Sequence, residues 1–205
     1  MPRARWSGWC RWTPRSRGRI STRPGRPAPF GGAPANYTVS WPEPDDHALG
    51  HSRGGWTTKA HVAVDAVGRP LAIRLTPGQA GDNPELMAVL AEIAVPTRGR
   101  PRSRPTAVIA DKAYSHPSTR HALRRKRIRV VIPQRSDQIA YRQSRGSRGG
   151  RPPAFDSETY RRRNVVERAF GRLKQWRGLA TRYDKHARNY RAGLVLAAIV
   201  MFWLP

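Results

Sequence analysis

From Thr57 onward the apolar residues change period in an order that few folds accommodate. The stretch TTKAHVAVDAV alternates as a strand, Asp65 to Pro70 reads as a turn, and PLAIRLT reads as the returning strand, so the region predicts a β-hairpin. Asp82 then reads as an N-cap with Pro84 close to the first turn, and the spacing predicts a helix through Glu92 that faces Leu86, Val89, Leu90 and Ile93 inward. A short buried strand, TAVIA, ends at Asp111. A second helix is predicted from Pro117 to Lys126, and a second short strand, IRVVI, from Ile128 to Ile132. The Arg, Gly and Ser-rich stretch from Pro133 to Pro153 reads as a loop, whose arginines at 135, 142, 145, 148 and 151 either grip a phosphate backbone or are simply solvated. A third helix begins near Asp156. Hairpin, helix, strand, helix, strand, helix is the order of a mixed α/β sheet with covering helices.

Upstream of residue 43 no such pattern exists. Met1 to Pro42 contains no Asp or Glu, and its Arg, Pro, Gly and Trp residues follow neither a helical nor a strand period. Residues 1–43 are therefore expected to be disordered and residues 44–205 to form the folded domain. At 205 residues the chain has the length of one domain, with room for a real core. Its charge is extreme, with 39 Lys and Arg against 13 Asp and Glu and a formal net charge of +26. Such an excess points to a polyanionic partner, although GC-rich coding DNA, which favours Arg, Ala, Gly and Pro codons, accounts for part of it. The lone Cys10 excludes an intrachain disulfide and a cysteine-based zinc site, and it fits a reducing cytosol. The apolar run Gly193 to Leu204 is shorter than the roughly 20 residues a bilayer span needs and reads as a buried C-terminal helix. The N-terminus has arginines but no continuous apolar stretch, so no secretory signal is expected.

Two places carry residues suited to chemistry. The first is the spacing of Tyr160, Arg163, Glu167 and Lys174 on what should be one helix. Residues four and seven apart share a helical face, so the Glu167 carboxylate, suited to a hard divalent metal, stands beside two cations that suit a phosphate. The same residues also fit an arginine-rich amphipathic helix that buries Val165, Val166, Ala169, Phe170 and Leu173 and leaves its charges solvated. The second is Asp111, at the carboxyl end of a central strand, the edge along which α/β sheets place their ligands. An Asp in that position also serves as a turn or helix cap. On the helix or the strand alone, both alternatives stay open.

Taken together, DKAYS at 111–115 and the Tyr160, Arg163, Glu167, Lys174 signature resemble the bacterial insertion-sequence transposases of the DDE class. The segments DDHALGHSRGGWTTKAHVAVD, LTPGQAGD, VVIPQRSD, GGRPPAFD and LKQWRGLATRYDK are similar to that family too, so the resemblance runs from about Pro44 to near the C-terminus. It implies a ribonuclease-H-like fold in which two Asp and one Glu hold two Mg²⁺ ions for DNA cleavage and strand transfer. By motif, Asp111 is the second catalytic, metal-binding acid and Glu167 the third. Tyr160, Arg163 and Lys174 are implied to bind DNA phosphates or to position the Glu167 helix. The implied partners are DNA, as terminal inverted repeats and target, and further copies of the chain. The implied location is the bacterial cytoplasm, at the nucleoid. The alternative is a basic DNA-binding protein that needs no metal.

The first acid is missing from this pattern. In the family it lies on the first strand, upstream of the hairpin, followed by Ser or Thr. Asp45 and Asp46 sit in a Pro-rich loop, Asp65 in the hairpin turn, and Asp82 reads as a cap, so none matches. A histidine-based metal site is not expected either. His47 and His51 lie in a loop beside Asp45 and Asp46, and His61, His116, His121 and His186 show no ligand spacing. The sheet is therefore expected to lack its first central strand, leaving unpaired edges, and the chain to be an inactive remnant.

The genetic code supplies a reason. Arg11-Trp12-Thr13-Pro14 must be encoded as xxN-TGG-ACN-CCN. Read one base earlier, NTG-GAC-NCC gives Leu, Met or Val, then Asp, then Ser, Thr, Pro or Ala, which matches the first-acid motif. In the same frame Arg19-Ile20-Ser21-Thr22 permits His-Gln-His, which the family also carries soon after this Asp. Residues before about Glu43 are thus expected to be a frameshifted translation of the first catalytic strand. Sequencing the locus is expected to show this frame open, with an Asp codon straddling Trp12 and Thr13 and an upstream basic region in continuity. Stop codons in that frame would overturn the expectation.

Overall fold

Eight consecutive buried residues, Thr57 to Val64, lie in one strand, β3 (Gly55–Asp65), around which the sheet is built. The computed structural model describes residues 6–12 (as backbone), 44–52 and 55–204. The expected hairpin is present: β3 pairs antiparallel with β4 (Pro70–Pro77), with Val62 opposite Ile73. Its turn is held by Asp65, whose Oδ1 accepts from the amides of Val67 and Arg69 at 3.0 and 2.8 Å. Gly68 takes φ +94° there, a conformation that favours glycine, and a Cβ would meet Val165 at 3.3 Å.

The other edge of β3 pairs antiparallel with β1 (Trp6–Trp12), Cys10 lying opposite Val62 and Trp12 opposite Ala60. This corrects the expectation that the first central strand is missing. The composition of the whole N-terminal segment concealed a Pro-free, tryptophan-rich run of seven residues, a type that strands favour, and the buried edge of β3 demands a hydrogen-bonding partner. Residues 1–5 and 13–43, and with them the rest of the expectation for that segment, lie outside the described residues. The short β2 (Gly50–Ser52) pairs with the start of β3. A parallel pair, β5 (Ala107–Ile109) and β6 (Arg129–Val131), lies beyond β1, with β5 packed against it. The strand order in space is thus β4, β3, β1, β5, β6, in two hydrogen-bonded groups.

Both faces are covered, and the period-2 alternation of the strands assigns each residue to one of them. On one face, Ala63 and Ala72 meet Leu86, Val89 and Leu90 of α1 (Asp82–Ala91) and Leu123 of α2 (Pro117–Arg125). On the other, Ala60, Val62 and Ile73 meet Val166 and Leu173 of α5 (Asn164–Gln175) and Tyr190 and Leu194 of α7 (Ala187–Ala198). Mixed α/β layering follows from the sequence order as expected.

Four local expectations are corrected. Asp82 is not the cap of α1. Gly81 is, and Asp82 instead binds Lys59 at 3.1 Å, both side chains being largely buried. The 133–153 stretch is not a loop throughout, because α3 (Ser136–Ser144) forms in it, with the Arg135 amide donating to Gln138 Oε1 at 3.4 Å. Such an N-terminal side-chain acceptor satisfies an amide that the helix itself cannot. The signature is not on one helix. It divides between α4 (Ser157–Arg161) and α5, with a turn at Arg162 and Arg163. Finally, the C-terminal run is only half buried. α7 buries Leu194, Ala197 and Ala198, while Leu196, Val200 and Leu204 are exposed. Between them, α6 (Arg177–Ala180) connects α5 to the final segment. Among the described residues no helix is long and apolar enough to cross a membrane.

The start and end of the domain are joined through one side chain. Arg182, 2% exposed, donates to the carbonyls of His47 (2.7 Å), Lys185 (2.9 Å) and Asp184 (2.9 Å) and to the Thr58 hydroxyl, and lies over the Tyr190 ring at 5.3 Å. Removing it would leave several buried acceptors without a donor, each costing about 1–3 kcal/mol. Arg182→Ala is therefore expected to lower unfolding free energy by about 3 kcal/mol or more, seen as a lower urea midpoint at unchanged slope. A loss below about 1 kcal/mol would contradict this role.

Candidate active site

Asp111 follows β5 after the buried Ala110 and opens a short 3₁₀ turn, Lys112–Tyr114. Its Oδ1 accepts from the Lys112 amide at 2.6 Å, and the turn is anchored by the buried Tyr114 and Ser115. The capping role is thus observed. Among the described residues the Asp111 carboxylate makes no ion pair, and it is half-exposed.

Glu167 lies in the first turn of α5, outside the stripe of Val166, Ala169, Phe170 and Leu173, all of which are buried. Its carboxylate is about half exposed, 49%, and accepts from Arg163 Nη2 at 2.5 Å. The guanidinium of Arg163 stands over the Tyr160 ring at 5.8 Å, and that ring packs against Phe155 at 5.3 Å. Tyr160, Arg163 and Glu167 therefore form one connected row although the helix is interrupted. Lys174 is exposed at the far end of α5, about 10 Å along the axis from Glu167 at 1.5 Å per residue.

The row is aimed by Asp156. Its carboxylate caps α4, accepting from the Thr159 amide at 2.9 Å and hydroxyl at 2.6 Å, and pairs with Arg129 of β6. These donors hold its pKa below the usual carboxylate value, the Thr159 hydrogen bonds most and Arg129 in addition.

Other acids are committed elsewhere. Asp65 holds the hairpin turn and Asp82 holds Lys59. Asp46 meets His186 Nδ1 at 3.0 Å and His47 Nε2 at 3.7 Å. These three are the group among the described residues whose ligand atoms could hold a metal, lying within 4.8 Å of one another. Spacing could not reveal the group, because His186 lies 140 residues from Asp46. The fold thus brings together two histidines that show no ligand spacing along the chain.

Asp111 and Glu167 offer the oxygen donors that Mg²⁺ prefers. Neither belongs to a group of three Asp, Glu, His or Cys among the described residues. The described donor set does not fit a two-ion carboxylate site.

Residues 36–202 match the model of a family described as "Transposase DDE domain", a span that contains Asp111 and Glu167 but not β1. A putative transposase for insertion sequence element IS6501 from Brucella ovis is 33% identical over 148 residues, 72% of this chain and 98% of that protein. A putative transposase for insertion sequence element IS402 from Burkholderia cepacia is 33% identical over 166 residues, 79% of this chain and 67% of that protein. No solved structure matches.

The Asp156 geometry sets a pH dependence. Because its folded pKa lies below the unfolded value, its stabilisation is present above the ordinary carboxylate range and is lost as pH falls through the depressed value. The difference in melting temperature between the protein and Asp156→Ala is expected to be largest near neutrality and to shrink on acidification. A pH-independent difference would contradict the assignment.

Proposed function

The chain belongs to the DDE transposase family, and from that premise we propose that it is a remnant of an insertion-sequence transposase that binds DNA but does not cut or join it alone. The observation that carries the reading is that, among the described residues, neither Asp111 nor Glu167 lies in a group of three Asp, Glu, His or Cys whose ligand atoms are within 4.8 Å of one another. The family match beginning at residue 36, downstream of β1, supports it. So does the codon pattern that places an Asp in another frame at the end of that strand.

The family generally uses a divalent metal ion for its chemistry. No step through such an ion is assigned to this chain, whose described donors do not fit it. What the residues do is positional. Arg163, braced on Tyr160, holds the Glu167 carboxylate, while Lys174 is exposed near the far end of the same helix. We assign the sheet to the ribonuclease-H-like class, a reading supported by the order β4, β3, β1, β5, β6 with helices on both faces. The proposed partners are DNA, including an element's terminal repeats, and further copies of the chain, in the bacterial cytoplasm. The net charge of +26 supports the DNA assignment.

The test is incubation with supercoiled DNA carrying the element's ends, in Mg²⁺ or Mn²⁺. Binding without nicking above the metal-free control is expected. Robust nicking that is lost in both Asp111→Ala and Glu167→Gln would overturn the remnant reading and show that the third acid comes from elsewhere. Binding that is salt-sensitive and unchanged in Glu167→Ala would favour a purely basic DNA-binding role.

A further inference from the structure

A groove between α2 and α3 encloses about 340 Å³ and carries an unusual lining. Six of its thirteen lining residues are arginines and none is acidic, whereas Lys and Arg together make up only 39 of the chain's 205 residues. We propose that this groove seats the phosphodiester backbone of one DNA strand, gripped chiefly by Arg124, Arg148 and Arg151. The inference deepens the DNA-binding reading above and rests on it for the identity of the polyanion.

The arginines are not spent on the protein itself. Arg124, Arg148 and Arg151 are exposed, and among the described residues their guanidinium groups meet no carboxylate or other acceptor. Their neighbours are held in place. Arg142 donates to Gln134 Oε1 at 2.6 Å, and Arg145 lies over the Tyr141 ring at 5.7 Å. Arg120 forms the buried floor, donating to the carbonyls of Ile132 (2.7 Å), Pro133 (3.2 Å) and Ser115 (3.3 Å), with no carboxylate beside it. Burial, and in addition the charge of Arg124, lowers the Arg120 pKa, the effect expected where like charges converge without an anion.

The backbone keeps this arrangement in place. Gly149 lies so close to Arg142 that a Cβ would sit 2.1 Å from its carbonyl oxygen, which pins the turn carrying Arg148 and Arg151 against α3. Gln138 of α3 donates to the Ser115 carbonyl at 3.4 Å, joining the groove to the turn that Asp111 begins. A strand lying in the groove therefore runs beside the Asp111 end of β5.

Phosphate is the ligand this chemistry fits. The planar guanidinium presents paired N–H donors that match two phosphate oxygens, and repeated phosphates neutralise several arginines at once. A groove of this volume takes one strand's backbone and leaves the rest of a duplex outside.

The test measures binding of duplex DNA by fluorescence anisotropy in EDTA, between 50 and 200 mM salt, so that catalysis plays no part. Each lost phosphate contact lowers the slope of log K against log salt by roughly 0.9. The triple variant Arg124→Ala/Arg148→Ala/Arg151→Ala is expected to lose about 2.7 from that slope on the same principle, with unchanged melting because all three side chains are exposed. The matched control, Arg98→Ala/Arg100→Ala/Arg104→Ala in an exposed loop, removes the same charge and is expected to keep the parent slope. Equal loss in both triples, or no loss in the groove triple, overturns the groove while leaving DNA binding intact. Should the groove triple misfold, the single Arg148→Ala variant carries the test with an expected loss of about 0.9. Failure of the parent chain to bind DNA overturns both readings.

Discussion

Burial of β3 on both faces and pairing along both its edges is the constraint on which the rest of the structure depends. A strand buried from Thr57 to Val64 cannot leave backbone amides or carbonyls unpaired without a cost of a few kcal/mol each. β4 satisfies one edge through the hairpin, and β1 satisfies the other from a segment far upstream. Side chains alternating across the strand then demand two apolar covers, supplied by α1 and α2 on one side and α5 and α7 on the other. Arg182 closes the assembly by binding the carbonyl of His47 and the hydroxyl of Thr58 from the opposite end of the domain.

Electrostatics explains where many of the acids of so cationic a chain are placed. It has 13 acidic residues, and the folded domain uses many of them to hold backbone or arginine. Asp65 closes a turn, Asp82 neutralises buried Lys59, Glu85 and Glu92 bind Arg74, and Asp156 caps α4 and binds Arg129. Glu167 is held by Arg163, and Asp111, which caps its own turn, makes no ion pair among the described residues. Six arginines, by contrast, line one groove that has no acidic residue in its wall.

Much of this was legible along the chain. The hairpin, α1, β5, α2 and β6 followed from period and punctuation, because each is a local pattern whose apolar residues need a single face. The interrupted signature was less so. A run such as Tyr160 to Lys174 has helical periodicity throughout, and only the capping of α4 by Asp156 and its tie to Arg129 show where the first piece is anchored. Helix α3 was hidden because it is largely polar and buries no residue, and so leaves no apolar stripe to read. β1 was hidden by its surroundings, since a strand's identity there depends on the vacant edge it fills.

The order of hairpin, α1, β5, α2 and β6, the inward faces of the helices, the family likeness and the candidacy of Asp111 and Glu167 came from the amino-acid sequence alone, because spacing and residue type are local properties. Tertiary structure alone decided which distant groups meet. It brought His186 to Asp46 and Arg182 to His47, and it turned arginines scattered from 120 to 151 into the walls of one groove. The physical reason is the same in each case. Hydrophobic burial drives the chain to a particular packing of layers, and charged side chains separated by tens of residues become neighbours only as its consequence.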